Sequence, residues 1–275
     1  MVIRQGDKGD DVKVLQRGLN KIGQMLLIDG DFGSGTGEAV GAVRETLKIP
    51  GLSTEADDAL QQALTNIADP FPPLTAAGVT FIARQEITDA RTYRTQYKTP
   101  AVPPAPSGVT IGIGYDCRFP TLAQFRADWG DLLSPDALAQ LEAVLGKQGT
   151  PELKAQVAGV TVSLEAAMRV FVNRNLPDFL SQTRSIYPQV DNLSPARRTA
   201  LVSLVYNRGT DLDGDSRKEM QAIRDLLSSN RLDDIPAQFE SMTRLWDPAT
   251  APGLIARRRA EAVLWKSDFA ALILD

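Results

Sequence analysis

The sequence contains no histidine among its 275 residues. That excludes Ser-His-Asp and Cys-His hydrolases, and zinc sites built on imidazole. Its single cysteine, Cys117, excludes an intrachain disulfide and a cysteine metal cage. No run reaches the roughly 18 apolar residues of a membrane span, so no stable membrane insertion is expected. The amino terminus, Met1-Val2-Ile3-Arg4-Gln5-Gly6-Asp7, turns polar at once, and no secretory signal is expected there. Charge of one sign is not in large excess: 30 Lys+Arg stand against 34 Asp+Glu, for a net charge of −4 and a pI of about 5.1. A nucleic-acid partner, which calls for a basic surface, is therefore not expected. Any catalysis falls to carboxylates, hydroxyls, lysines or a borrowed cofactor. The motifs below call for neither a cofactor nor a metal.

What is present reads as mainly α. Residues 1–67 predict a small three-helix module, with helices over Asp11–Gly23, Gly37–Leu47 and Thr54–Leu64. Pro70, Pro72 and Pro73 mark residues 68–77 as a linker. Residues 78–275 predict a second, α+β domain. A helix over Ala76–Ile87 leads to a proline-rich loop, Pro100–Ser107, and then to Val109–Tyr115, whose β-branched and glycine residues suggest one short strand or hairpin. Ser134-Pro135 and Ser194-Pro195 each place a capping residue before a proline at the first helical position. Ser163 caps a helix expected to reach Asn173. Further helices are expected over Arg217–Ser229, Pro236–Trp246 and Leu254–Lys266.

Three places could carry chemistry. Glu86 sits at the end of Phe81-Ile82-Ala83-Arg84-Gln85-Glu86, on the edge of an apolar helix face, where partial desolvation would suit a general acid. The plain alternative is a surface glutamate. In Thr110-Ile111-Gly112-Ile113-Gly114-Tyr115-Asp116, two glycines mark a bend or a close approach to a ligand. Asp116 and Thr110 would supply a carboxylate and a hydroxyl opposite Glu86; alternatively, Asp116 merely caps a turn. Arg257-Arg258-Arg259 could grip carboxylates at a substrate's edge or line a helix surface with Glu261 as partner. Asp211-x-Asp213-Gly214-Asp215 opens like a calcium loop but has Ser216 and Ala222 where Gly and Glu are needed, so a solvated acidic loop is expected.

The order Glu86, Tyr93, Thr110-Ile111-Gly112-Ile113-Gly114 resembles the opening signature of phage-type lysozymes, in a divergent G-Y-D form. Ala200–Gly209, with Tyr206-Asn207-Arg208-Gly209, resembles that family's buried helix and its aromatic-Asn-x-Gly end. Gly253-Leu254, Arg257-Arg258 and Glu261 resemble its last helix. The chain departs from the pattern at Thr95, where the family's second carboxylate usually stands, and at Tyr115, where it usually has histidine. Asp116 is the substitute carboxylate, with Asp89 behind it. In residues 3–64, Gly6, Gly9, Leu15-Gln16 and Asp29-Gly30-Asp31-Phe32-Gly33 with Thr36 and Ala39-Val40 resemble a three-helix peptidoglycan-binding module. Val43-Arg44 replaces its usual aromatic-Gln pair.

The resemblance implies a lysozyme-like domain that cleaves the β-1,4 bond between N-acetylmuramic acid and N-acetylglucosamine. Glu86 would be the general acid, with Asp116 and Thr110 assisting. Tyr115, Asn207 and Arg208 would line or brace the substrate-binding cleft, Asn207 supporting the hairpin rather than touching sugar, and Arg258 would have a structural and substrate-edge role, while Asp29, Asp31 and Phe32 would serve the wall-binding module. The implied partner is bacterial peptidoglycan. Without a leader, such an enzyme made in the host cytoplasm would reach the wall through a holin or an injection system. An injected toxin would imply an immunity protein. A lytic transglycosylase, or a non-catalytic wall-binding protein, would fit the same motifs.

Overall fold

A computed structural model describes residues 1–103 and 106–267. Pro104 and Ala105 of the proline-rich loop, and residues 268–275 of the expected second domain, lie outside the described residues. The chain is mainly helical, with two small antiparallel sheets. It forms two compact units, one made of Met1–Ile82 and Asp178–Asp275, the other of Ala83–Pro177. Residues 78–275, expected as one domain, thus contribute to both.

In the first unit, β1 (Ile3–Arg4) pairs with β2 (Glu55–Ala56), Ile3 opposite Ala56. Helices α1 (Asp10–Asn20), α2 (Ser34–Leu47) and α3 (Asp58–Asn66) surround one core, which includes Val12, Leu15, Leu19, Phe32, Val40, Leu60 and Leu64. The third helix begins four residues later than its expected start at Thr54. Glu55–Ala56 is claimed by a strand partner near the amino terminus, and the Asp57 carboxylate caps α3 by accepting the Leu60 N–H at 2.9 Å. Arg44 is buried on α2 and donates to the carbonyls of Pro50, Leu52 and Glu55, at 2.6, 3.2 and 2.9 Å. It moulds the segment that sequence periodicity reads as helix.

Later in this unit, helix Pro195–Arg208 packs against helix Pro252–Lys266, which also packs against Ile235–Ser241. Ser194 caps the first of these by accepting the Arg197 N–H.

The second unit takes the end of α4 (Thr75–Ile87), which runs across the division. A π-helical turn follows at Tyr93–Tyr97, then a hairpin of β3 (Thr110–Ile111) and β4 (Tyr115–Asp116). Ala101 bridges the free side of Thr110 through two backbone hydrogen bonds, of 2.9 and 2.8 Å. Ser163 caps helix Leu164–Val170. This helix does not stop at Asn173: it widens into a π-helical turn, Phe171–Asn175, and continues as helix Leu176–Ile186. Pro177 is tolerated there because the wide turn already breaks the i→i−4 ladder that a proline would disrupt.

Candidate functional site

Glu86 lies one residue from the end of α4 and is half-buried, with Ile82, Ala83 and Ile87 buried around it in sequence. Beyond it, the Asp89 carboxylate caps the short helix Ala90–Thr92 by accepting the Thr92 N–H at 2.6 Å. That backbone bond holds the Asp89 carboxyl below its ordinary range. Tyr93 is fully buried and donates its hydroxyl to the Val162 carbonyl at 3.1 Å. Thr95 turns its hydroxyl back to the carbonyls of Arg91 and Thr92.

The hairpin brings Thr110 and Asp116 directly opposite one another. Gly112 and Gly114 both have left-handed backbones, with φ of 60° and 71°. A side chain at Gly112 would start 3.1 Å from the Trp129 ring and 3.3 Å from Ala167 Cβ. The close approach at Gly112 is therefore to the protein's own core. Between them Ile113 is buried, at 2% exposed, and its carbonyl accepts the Asn175 side-chain N–H at 3.0 Å, while Gly114 is exposed.

Asp116 holds the open end. Its Oδ1 accepts the N–H groups of Gly108 and Arg118, at 3.0 and 2.8 Å, and Oδ2 lies 3.1 Å from the same Gly108 nitrogen. Gly108 is needed because a Cβ there would lie 2.6 Å from Asp116 Oδ1. The base of the proline-rich loop is also tied: Ser107 accepts the Gly149 N–H at 2.9 Å, and Arg118 donates to the Pro106 carbonyl.

Tyr115 is a correction to the expected substrate contacts. It is buried, packs edge-on against Trp129 with ring centroids 5.4 Å apart, and donates to Asp128 Oδ2 at 2.8 Å. Burial and the Asp128 carboxylate push its phenol well above the usual range. It braces the hairpin from inside. Asp128 also faces Arg174 at 3.8 Å and borders a polar pocket of about 100 Å³, together with Asp131, Arg169 and Asn173. Asp128, Trp129 and Asn175 escape a reading of the sequence. Only the polar run Asn173-Arg174-Asn175, interrupting an apolar helix, could flag them.

In the first unit, Asn207 and Arg208 end helix Pro195–Arg208 and are half-buried. Arg208 donates to the Ser216 carbonyl at 2.8 Å and lies over the Trp246 ring at 5.3 Å. Burial, and then nearby Arg217, lower its pKa. Arg258 is the second correction: it is 0% exposed and cannot reach a polymer outside the protein. It donates to Glu261 Oε1 at 2.6 Å, and Ser203 donates to the same oxygen at 2.7 Å. Burial pulls the Arg258 guanidinium down to about 10. Nearby, Asp215 of the acidic loop is claimed by Arg244 at 2.8 Å.

In the amino-terminal module, the Asp29–Gly33 turn hangs on one amide. Gln16 accepts the Gly30 N–H at 2.9 Å and donates to Asp29 Oδ1 at 2.7 Å, with longer contacts to the Asp31 carbonyl and Thr36. Asp31 pairs with Lys8 at 2.6 Å. Phe32 is the third correction: with no exposure it is a core residue of the module, not a wall contact.

No protein-family model matches the chain, and no curated protein matches it either.

Proposed function

We propose that the protein is a peptidoglycan hydrolase that cleaves the β-1,4 bond between N-acetylmuramic acid and N-acetylglucosamine, with Glu86 as general acid. The observation that carries this reading is the hairpin. The Thr110–Asp116 run folds as two strands around a turn with left-handed Gly112 and Gly114, in the same compact unit as the half-buried Glu86. A helix-end glutamate with such a hairpin is the pairing that the resemblance to phage-type lysozymes calls for.

In this reading Glu86 protonates the leaving oxygen. Asp116 Oδ2, with one contact at 3.1 Å, keeps acceptor capacity for a water, and the Thr110 hydroxyl stands opposite. The partner is bacterial peptidoglycan, reached after release by a holin-like permeabilising protein or by injection. An injected toxin would be countered by an immunity protein.

A second reading is favoured by the ties on Asp116. A lytic transglycosylase needs one acidic glutamate and no activated water, so a second carboxylate committed to backbone N–H groups does not hinder it. One experiment separates the two. Purified peptidoglycan is digested, the fragments are reduced with borohydride, and the ends are identified by mass spectrometry. Reducible muramic acid ends support hydrolysis, and anhydro ends support the transglycosylase. Both should vanish in Glu86→Gln. The absence of soluble fragments from the unaltered protein would overturn both and leave a wall-binding role.

A further inference from the structure

We propose that the amino-terminal module takes its ligand in the groove between α1 and α3, and that this ligand is a short carboxylated peptide with small side chains. The peptide's identity as a peptidoglycan stem rests on the reading above; the groove's preference for such chemistry does not.

The groove has a volume of about 400 Å³, within the range of small-ligand sites. Leu15 and Leu64 lie at its floor and are buried, while Val14 on its edge is 61% exposed. Gly18 sets the floor: a Cβ there would sit 3.0 Å from Leu64 Cβ, so any larger residue would push the two helices apart. Small apolar side chains suit such a surface. No aromatic residue lines it, so it offers no flat platform for a sugar ring.

Charge selects the rest. Residues 1–67 carry more carboxylates than cations, yet the groove's lining includes Arg17 and Lys21 and no acidic residue. Lys21 donates to the carbonyls of Leu64 and Ile67, at 3.3 and 2.7 Å, which fixes its ammonium at the groove's end. Arg17 is half-buried, and its guanidinium has no hydrogen bond or ion pair among the described residues. A planar guanidinium with its donors unspent beside an apolar floor fits a carboxylate in a bidentate manner. The Asp29–Gly33 turn offers nothing comparable. Its carboxylates are bonded to Gln16, Lys8 and its own backbone, and its aromatic ring is buried.

The test uses the full chain and isothermal titration calorimetry. The probes are a synthetic Ala–γ-Glu–Ala–Ala peptide with free carboxylates, the same peptide fully amidated, and a chitin oligosaccharide. Binding of the free-carboxylate peptide alone is expected. Arg17→Glu should weaken it by about tenfold or more, as loss and reversal of a charged contact would. Lys48→Glu, an equal charge change on an exposed residue outside the groove, should change it little. If Arg17→Glu melts early, Val14→Asp at the exposed edge replaces it, with the same weakening expected. Undiminished binding by the folded variants, equal binding of the amidated peptide, or binding of the oligosaccharide alone would overturn the proposal. Peptide binding by a protein that releases no wall fragments would uphold the groove and overturn the hydrolase. Wall cleavage without peptide binding would do the reverse.

Discussion

The side-chain amide of Asn175 donates to the carbonyl of Ile113 at 3.0 Å, joining a π-helical turn to the buried end of a β-hairpin. Hairpin turns usually lie in water. This one exposes Gly114 but turns Ile113 inward, where its carbonyl is met by a residue 62 positions later. Asn175→Ala removes this buried hydrogen bond, at a cost of about 1–3 kcal/mol. Urea unfolding should show the loss. Wall cleavage should fall while peptide binding by the amino-terminal module is unchanged.

Two left-handed glycines, Gly112 and Gly146, give a paired comparison. Gly112→Ala meets both an unfavourable backbone and the Trp129 ring at 3.1 Å. Gly146 has a φ of 72°, and a Cβ there would find nothing within 4 Å, so Gly146→Ala meets the backbone cost alone. That cost is about 1–2 kcal/mol. Chemical denaturation should place Gly112→Ala clearly below Gly146→Ala. Equal stabilities would mean that the hairpin's turn is not packed as described.

Asp116 separates support from chemistry. Asp116→Ala removes the acceptor of two backbone N–H groups and should cost about 1–3 kcal/mol. Asp116→Asn keeps one oxygen for both and should cost less. A folded Asp116→Asn protein with full cleavage activity would restrict Asp116 to holding the hairpin's open end. A large drop in kcat at unchanged melting temperature would give it a part in the reaction.

The Arg258–Glu261 pair makes a sharp stability prediction. Both residues are wholly buried, so Arg258→Met takes the nearer of two arginines from a core carboxylate and leaves Arg257, at 3.5 Å, with Ser203 to hold it. A loss of about 3–5 kcal/mol is expected. The double change Arg258→Met with Glu261→Gln should not recover it, because it also takes the carboxylate from the buried Arg257. Thermal melts of the three proteins decide the matter.

Acid should loosen the segment after Glu86. The Asp89 carboxyl is held below its unfolded value, chiefly by the Thr92 N–H. Its contribution to stability is therefore present above the unfolded carboxylate pKa of about 4, and is lost as pH falls through the lower folded value. Unfolding measured from pH 6 to pH 2 should show this acid limb. Asp89→Asn should make it shallower, the remainder coming from other carboxylates held low, such as Asp57, Asp191 and Asp215.

Local signals carried much of the fold. Ser134-Pro135, Ser163 and Ser194-Pro195 start helices where serine and proline chemistry says they should. The glycine spacing of Thr110–Tyr115 marks the hairpin for the same reason. What stayed illegible depends on distant partners. Glu55–Ala56 is a strand only because Ile3–Arg4 pairs with it, 51 residues away at Arg4 and Glu55. Phe32, Tyr115 and Arg258 are residue types that serve surfaces as readily as cores, and only the packing around them fixes which. Asp128 and Asn175 carried no motif, because their partners are a tyrosine hydroxyl and a backbone carbonyl far along the chain.

The hairpin's two fixed ends have a mechanical consequence. At one end Asn175, Trp129 and Ala167 hold the turn; at the other, Asp116 and Ala101 hold the strands to neighbouring backbone. A ribbon anchored at both ends behaves as a beam rather than a flap. Its amide order parameters should match those of the helices, and it should resist proteases that clip ordinary hairpin tips. Thr110 and Asp116 then stand on a stationary ledge, to which an incoming ligand must adapt.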